Sequence, residues 1–204
     1  MTTTVFFVRH GSHDRLDHIL CGRMDGVELS GAGRRESAMV AERLSRETVS
    51  ALYVSPLLRA RQTAEPIARA LGLQPVVAED LNEIDLGEWT GLRFDDLRPR
   101  AAWRRWNSAR AHHRPPGGES MLEIQLRVAR WLSEVVGRHP HTGVAAVCHS
   151  DVIKVAACHA LGLSLDHHDR MEISPASISV LAAGRWGLKV HALNETVDDR
   201  AAAN

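Results

Sequence analysis

Apolar positions along the chain follow two alternating periods. Thr4 to Val8 (Thr-Val-Phe-Phe-Val) is a short continuous apolar run rich in β-branched and aromatic residues. That is the pattern of a strand buried on both faces, and it predicts the centre of a sheet. Ala38, Val40, Ala41 and Leu44 then recur at helical spacing in a segment opened by Leu29-Ser30-Gly31, and Ala51 to Val54 predicts a second strand. Ser55-Pro56 has the chemistry of a helix start, because serine caps free N–H groups and proline fits the first helical position. Ala60, Ala64, Ile67, Ala68 and Leu71 stripe the helix that follows, up to Gly72, and Pro75 to Ala78 reads as a third short strand. Further on, Leu122, Leu126, Ala129, Leu132 and Val136 predict a long helix, Gly143 to Val147 a strand, and Val152 to Leu161 a helix closed by Gly162. Ile178 to Ala182 and Leu188 to Leu193 predict a late hairpin around Ala183-Gly184.

Strands that alternate with helices imply a mainly parallel sheet covered on both faces, a doubly wound three-layer α/β/α sandwich. Such sheets bind ligands at the carboxyl ends of their strands. The 204 residues are expected to form one domain, 1–204, with a lid-like insertion around 92–118 and a frayed tail at 198–204. Charge marks the insertion. Glu79 to Asp96 holds seven acidic residues and one arginine, whereas Arg98 to Arg114 holds six arginines, two tryptophans, two histidines and no acid. Arg114-Pro115-Pro116-Gly117-Gly118 ends it with turn chemistry.

Composition narrows the function classes. Twenty-five Lys plus Arg balance twenty-five Asp plus Glu, so the chain lacks the basic field that drives general nucleic-acid binding. Its longest apolar runs fall far short of the about 20 residues that a membrane span needs. The start, Met-Thr-Thr-Thr, has no basic n-region, so a cytoplasmic protein is expected. Cys21, Cys148 and Cys158 are odd in number and lack CxxC spacing, which argues against a disulfide framework or a zinc site. Only Lys154 and Lys189 are lysines among the basic residues. The guanidinium is the better bidentate partner for phosphate, although a GC-rich genome produces the same bias.

The residues that carry chemistry lie where strands end. Arg9-His10-Gly11 follows the first strand, so arginine and histidine emerge at its carboxyl end. A neutral histidine nitrogen can attack phosphorus, an arginine can neutralise phosphoryl oxygens, and glycine lets the backbone turn closely beneath a ligand. Arg59 and Arg61 put positive charge into the first turns of a helix whose dipole disfavours it there, a conflict that a bound anion would remove. His149 ends a later strand as His10 ends the first, and Ser150-Asp151 opens a helix whose free N–H groups favour an anion. Glu83, Asp85 and Glu88 all stand as candidate acids for a leaving oxygen, and spacing does not choose among them.

Taken together, Arg9-His10-Gly11, the Ser55 to Ala64 stretch, Asn82-Glu83-Ile84 to Gly91 and His149 resemble the histidine phosphatase superfamily, also called the phosphoglycerate-mutase-like family. The resemblance covers nearly the whole chain in order and spacing. It implies a phosphomonoesterase acting on a small phosphorylated metabolite. His10 would be the nucleophile that becomes phosphohistidine, Arg9, Arg59 and His149 the phosphate pocket, and Glu83 the acid. No metal and no cofactor is implied. Gly11, Ser12 and Ser150 are expected to touch substrate. Arg104 and Arg105, in Trp103-Arg104-Arg105-Trp106, are comparable to the paired arginines with which mutases of this family hold phosphoglycerate.

The match also departs from the family pattern. The usual Thr or Ser and the later Asn are replaced here by His13 and Leu16, with Ser12 between His13 and the motif. Ser12, His13 and Asp17 are the possible substitutes. A second histidine followed by serine, His149-Ser150, adds a side chain where relatives often have glycine. Two alternatives to hydrolysis stand beside it: mutase-type phosphoryl transfer, and a catalytically weak relative that binds phosphorylated ligands. A metal-binding reading draws on twelve histidines, including His112-His113 and His167-His168, but none has defensible ligand spacing. Oligomeric state is left open.

Overall fold

The computed structural model describes residues 2–197, so the expected frayed tail at 198–204 lies outside the described residues. Six strands form one sheet: β1 (Thr2–Arg9), β2 (Val49–Val54), β3 (Pro75–Val77), β4 (Gly143–Cys148), β5 (Ile178–Gly184) and β6 (Gly187–Glu195). Their order is β3-β2-β4-β1-β5-β6. The first four run parallel, while β5 pairs antiparallel with β1 and β6 antiparallel with β5. β1 is therefore central, as its unbroken apolar run predicts. Val5 and Phe7 join the core on one face and Phe6 and Val8 the core on the other, the two-residue period of a strand covered on both sides.

Helices α1 (Gly31–Leu44) and α2 (Leu58–Leu71) cover the face that contains Phe6 and Val8. Helices α5 (Met121–Arg138) and α6 (Ser150–Leu161) cover the other, and two short helices, α3 (Phe94–Leu97) and α4 (Ala101–Ser108), lie in the insertion. This is the expected three-layer α/β arrangement, with an antiparallel hairpin at one edge. Ser30 caps α1 by accepting from Gly33, and left-handed Gly72 and Gly162 close α2 and α6.

Three local expectations are corrected. Ser55 does not cap α2: that helix starts at Leu58 with Leu57 as its cap, because the Ser55 hydroxyl pairs with His149. The hairpin turns through Arg185-Trp186, with Gly184 paired to Gly187. On α5 the stripe read from the sequence is mostly the outer one. Leu122 and Leu126 are exposed, Leu126 by 70%, whereas Met121, Ile124, Val128, Trp131, Leu132 and Val135 are buried. The helix carries two apolar stripes sharing Leu132, and the indole of Trp131 against Phe7 and Tyr53 decides which turns inward.

Candidate active site

The sheet order dictates which side chains meet. β1 and β4 are parallel neighbours with Arg9 opposite Cys148, so the residues that follow them, His10 and His149, emerge side by side with ring centroids 5.2 Å apart. β2 lies next to β4 and delivers Ser55 and then α2 with Arg59 to the same edge. After β3 the chain crosses this edge in two short 3-10 turns, Glu79–Leu81 and Gly87–Trp89, and Glu83 lies in the segment between them. The result is a cleft of about 270 Å³ at the carboxyl ends of the parallel strands.

His10 is 3% exposed, and its Nδ1 lies 2.8 Å from the Gly11 carbonyl oxygen. A carbonyl only accepts, so Nδ1 carries the proton and Nε2 keeps its lone pair. Burial, reinforced by the charges of Arg59 and Arg9, holds the ring well below its ordinary pKa and therefore neutral. Gly11 supports this turn rather than lining the cleft. Its N–H donates to Thr63 Oγ1 at 3.0 Å, and a Cβ there would come within 2.6 Å of the Gly33 carbonyl oxygen.

Two arginines face this neutral ring. Arg59 is 2% exposed and donates from Nη2 to the Gly22 carbonyl at 2.7 Å, while its Nε and Nη1 have no partner. Arg9 donates from Nη1 to the Ile173 carbonyl at 2.5 Å, and its Nε is likewise buried without a partner. Buried donors of this kind are rare unless a ligand satisfies them. His149 Nε2 lies 2.7 Å from Ser55 Oγ, which leaves Nδ1 facing Arg59 and Glu83. Together these groups make a cationic pocket rich in N–H donors, the arrangement that stabilises transferring phosphoryl oxygens.

Among the three acids left open by spacing, Glu83 alone lines the cleft. Its Oε1 accepts from the Ile84 N–H at 2.9 Å, and Oε2 stands 3.9 Å from His149 Nδ1. Burial, then the charge of Asp151, pushes its carboxyl up to about 7. Asp85 instead accepts from the Gly87 N–H, and Glu88 is exposed. A half-buried ion network fixes the backbone here: Arg23 Nε donates to the Glu83 carbonyl at 2.8 Å, and Glu119 bridges Arg23 and Arg127.

The remaining sequence candidates divide. Ser150 lines the cleft at the start of α6. Ser12 does not: its N–H and its hydroxyl both donate to Glu36, each at 2.8 Å, which turns the side chain toward α1. His13 and Asp17 line the cleft instead, and His13 stacks on His10 with centroids 5.3 Å apart. Arg61 is exposed. Arg104 and Arg105 are exposed on the outer face of α4, with Arg104 Nη1 donating to the Pro99 carbonyl, because the inward i, i+3 pair is Trp103 and Trp106. The insertion sends Arg110 into the cleft in their place, where its guanidinium lies 3.7 Å over Trp106 and pairs with Asp151 at 3.3 Å.

Comparison with known proteins now decides the family. The profile of the histidine phosphatase superfamily (branch 1) matches residues 5–196. The chain belongs to the histidine phosphatase superfamily. It is 32% identical over 165 residues to phosphoserine phosphatase 1 of Hydrogenobacter thermophilus, covering 78% of each chain. It is 32% identical over 181 residues to a bifunctional protein of Mycobacterium tuberculosis, covering 87% of this chain and 50% of that one, so it spans half the length of that relative. The solved complex of a mycobacterial glucosyl-3-phosphoglycerate phosphatase with inorganic phosphate superposes with a TM-score of 0.84 at 27% identity, covering 95% of this chain and 98% of the other. The enzyme class implied by the sequence motifs, a histidine phosphatase, stands on that membership.

Other features of this superfamily member bear on its setting. Among the described residues no helix is long and apolar enough to cross a membrane. No cluster of three or more His, Cys, Asp or Glu side chains there is arranged to hold a metal ion. The three cysteines are free and buried.

Of the three possible substitutes read from the sequence, His13 and Asp17 reach the cleft; sequence reasoning missed Arg110, Asp151, Lys154 and His168 as cleft residues, and Ser55, Thr63, Arg23 and Glu119 as the groups that orient the site. Helical spacing offers a signal for one of these. Lys154 lies four residues after Ser150, on the same helix face.

Proposed function

We propose that this chain hydrolyses a small phosphomonoester through a phosphohistidine on His10. The observation that carries the reading is the Nδ1-anchored His10 ring in a cleft that it shares with Arg9 and Arg59, whose buried N–H donors have no partner among the described residues. Arg9, Arg59 and His149 hold the phosphoryl group, with Ser150 and the free N–H groups of the first turn of α6 beside it. His10 Nε2 attacks phosphorus in line with the leaving oxygen, so the N–P bond forms as the P–O bond breaks. Protonated Glu83 gives its proton to that oxygen. Its carboxylate then takes a proton from the water that attacks the phosphohistidine, the N–P bond breaks, and inorganic phosphate leaves with His10 and Glu83 restored.

A carboxyl near 7 suits both halves of this cycle, because it is present as acid and as base at neutral pH. The insertion acts as a lid: Phe94, Trp103 and Trp106 wall the outer cleft and keep water from the pocket. The outward placement of Arg104 and Arg105 favours hydrolysis over a mutase reaction that uses them.

Phosphate release from p-nitrophenyl phosphate in the presence of EDTA tests the reading, together with trapping of acid-labile, base-stable phosphate on the protein. Wild type should turn over and label, and His10→Ala should lose both by more than about 10³-fold while keeping its fold. Undiminished turnover in His10→Ala would overturn the nucleophile assignment. A folded wild type that binds phosphate without turnover would make this chain a phosphate-binding relative.

A further inference from the structure

The cleft continues past the phosphate end and changes character. Lys154 lies four residues along α6 from Ser150, about 6 Å of helical rise, and both line the cleft. Burial lowers the pKa of Lys154, and its ammonium has no ion pair among the described residues. Two carboxylates lie near it: Asp151 is engaged by Arg110, and Asp169 acts on Lys154 and Arg110 through its charge without forming an ion pair with either among the described residues. Arg110 is itself fixed, with Nη2 donating to Asn107 Oδ1 at 2.9 Å, yet its Nε is buried without a partner. His168, also buried, anchors Nδ1 on the Leu165 carbonyl at 3.1 Å, which leaves Nε2 available. A partly desolvated ammonium beside a guanidinium with an orphaned donor is unfavourable unless a ligand supplies negative charge. The volume of about 270 Å³ holds only a small molecule.

We propose that Lys154, with Arg110 and His168 beside it, is a second anion subsite, and that the substrate is a short phosphomonoester carrying a second acidic group, carboxylate or phosphate, a few bonds from its ester. This names a substrate class for the phosphatase reading and rests on it. Lys154 contacts the second group and sets specificity. It takes no part in the chemical step.

Rates on 3-phosphoglycerate, propane-1,3-diol bisphosphate, glycerol 3-phosphate and p-nitrophenyl phosphate separate the possibilities. Wild type should favour one of the two doubly acidic compounds over glycerol 3-phosphate by tenfold or more in kcat/KM, mainly through KM, and which of them leads identifies carboxylate or phosphate. Lys154→Met should cost that compound at least tenfold more than it costs p-nitrophenyl phosphate, and Lys154→Arg should restore most of the preference. Equal kcat/KM for doubly and singly acidic compounds, or a preference that survives Lys154→Met, would overturn the subsite. Calorimetric titration of the same compounds into His10→Ala and into His10→Ala/Lys154→Met reads binding without turnover. If wild type hydrolyses nothing, the phosphatase reading fails, while a tenfold binding preference lost with Lys154 still supports the subsite.

Discussion

The inner and outer halves of the cleft are built from different material. The inner half consists of strand-end residues and the first turn of the helix after β2, and each has its orientation fixed by a backbone or hydroxyl partner: His10 by Gly11, His149 by Ser55, Arg59 by Gly22. The outer half comes from helix faces and the insertion, where Arg110 rests on Trp106 and Lys154 has no ion pair among the described residues. Strand ends are positioned by the sheet, so the chemistry there tolerates little movement. Helix faces can differ in side chain without disturbing the sheet, and that is where a shared phosphoryl-transfer site can acquire its own substrate.

The largest effect in this comparison belongs to the inner half. Glu83→Gln is expected to lower kcat by about 10² to 10⁴ while phosphate still binds. It should also remove the alkaline limb of the rate profile. Only the protonated carboxyl donates, so wild-type kcat should fall as pH rises above about 7, and the glutamine variant should lack that limb. Stability should move the other way. Because the folded-state value lies above the ordinary 4.5, the folded form binds more protons, and wild type loses stability as pH rises from 4.5 to about 7. The glutamine variant escapes that loss. It should be more stable than wild type at pH 8 by up to about 3 kcal/mol, read in denaturant unfolding, and lose this advantage at pH 4. A variant of unchanged kcat would move the acid role away from Glu83.

A smaller effect tests whether the inner half depends on its supports. Arg23 touches no reacting group in the proposed mechanism; it holds the Glu83 carbonyl and pairs with Glu119. Arg23→Met should therefore lower kcat about tenfold with little change in KM, because a displaced acid is mispositioned in the transition state more than in the bound substrate. The alkaline limb should shift to lower pH as Glu83 becomes better solvated. A change in KM alone, with the limb unmoved, would make Arg23 a substrate contact instead of a positioning residue.

The same division explains what the sequence revealed. His10, Arg9 and His149 were legible because apolar runs end at them, and a parallel sheet brings strand ends to one edge whatever lies between. Arg59 was legible because a cation in the first turn of a helix conflicts with its dipole. The choice of Glu83 over Asp85 and Glu88 was not legible by chemistry alone, since it depends on how the segment between the two 3-10 turns faces. Ser12 was misplaced because its direction is set by Glu36 on α1, far along the chain. The buried stripe of α5 and the inward face of α4 were missed for one reason. Each helix offers two plausible faces, and bulky tryptophans choose between them through tertiary contacts.

That last point yields the smallest expected effect. Arg104 and Arg105 sit between Trp103 and Trp106, and a helix cannot turn both pairs inward at once. Trp106 is 2% exposed and packs edge-on against Trp89, so rotating α4 to bring the arginines in would expose that indole and break the aromatic contact. The double variant Arg104→Ser/Arg105→Ser should therefore change kcat/KM by less than about twofold, within the range of exposed substitutions away from a site. Arg110→Met should cost clearly more on a doubly acidic substrate, since Arg110 is the arginine of the insertion that lines the cleft. If the double variant instead loses tenfold or more, the outer half rearranges around substrate, and α4 presents its arginine face only in the closed enzyme.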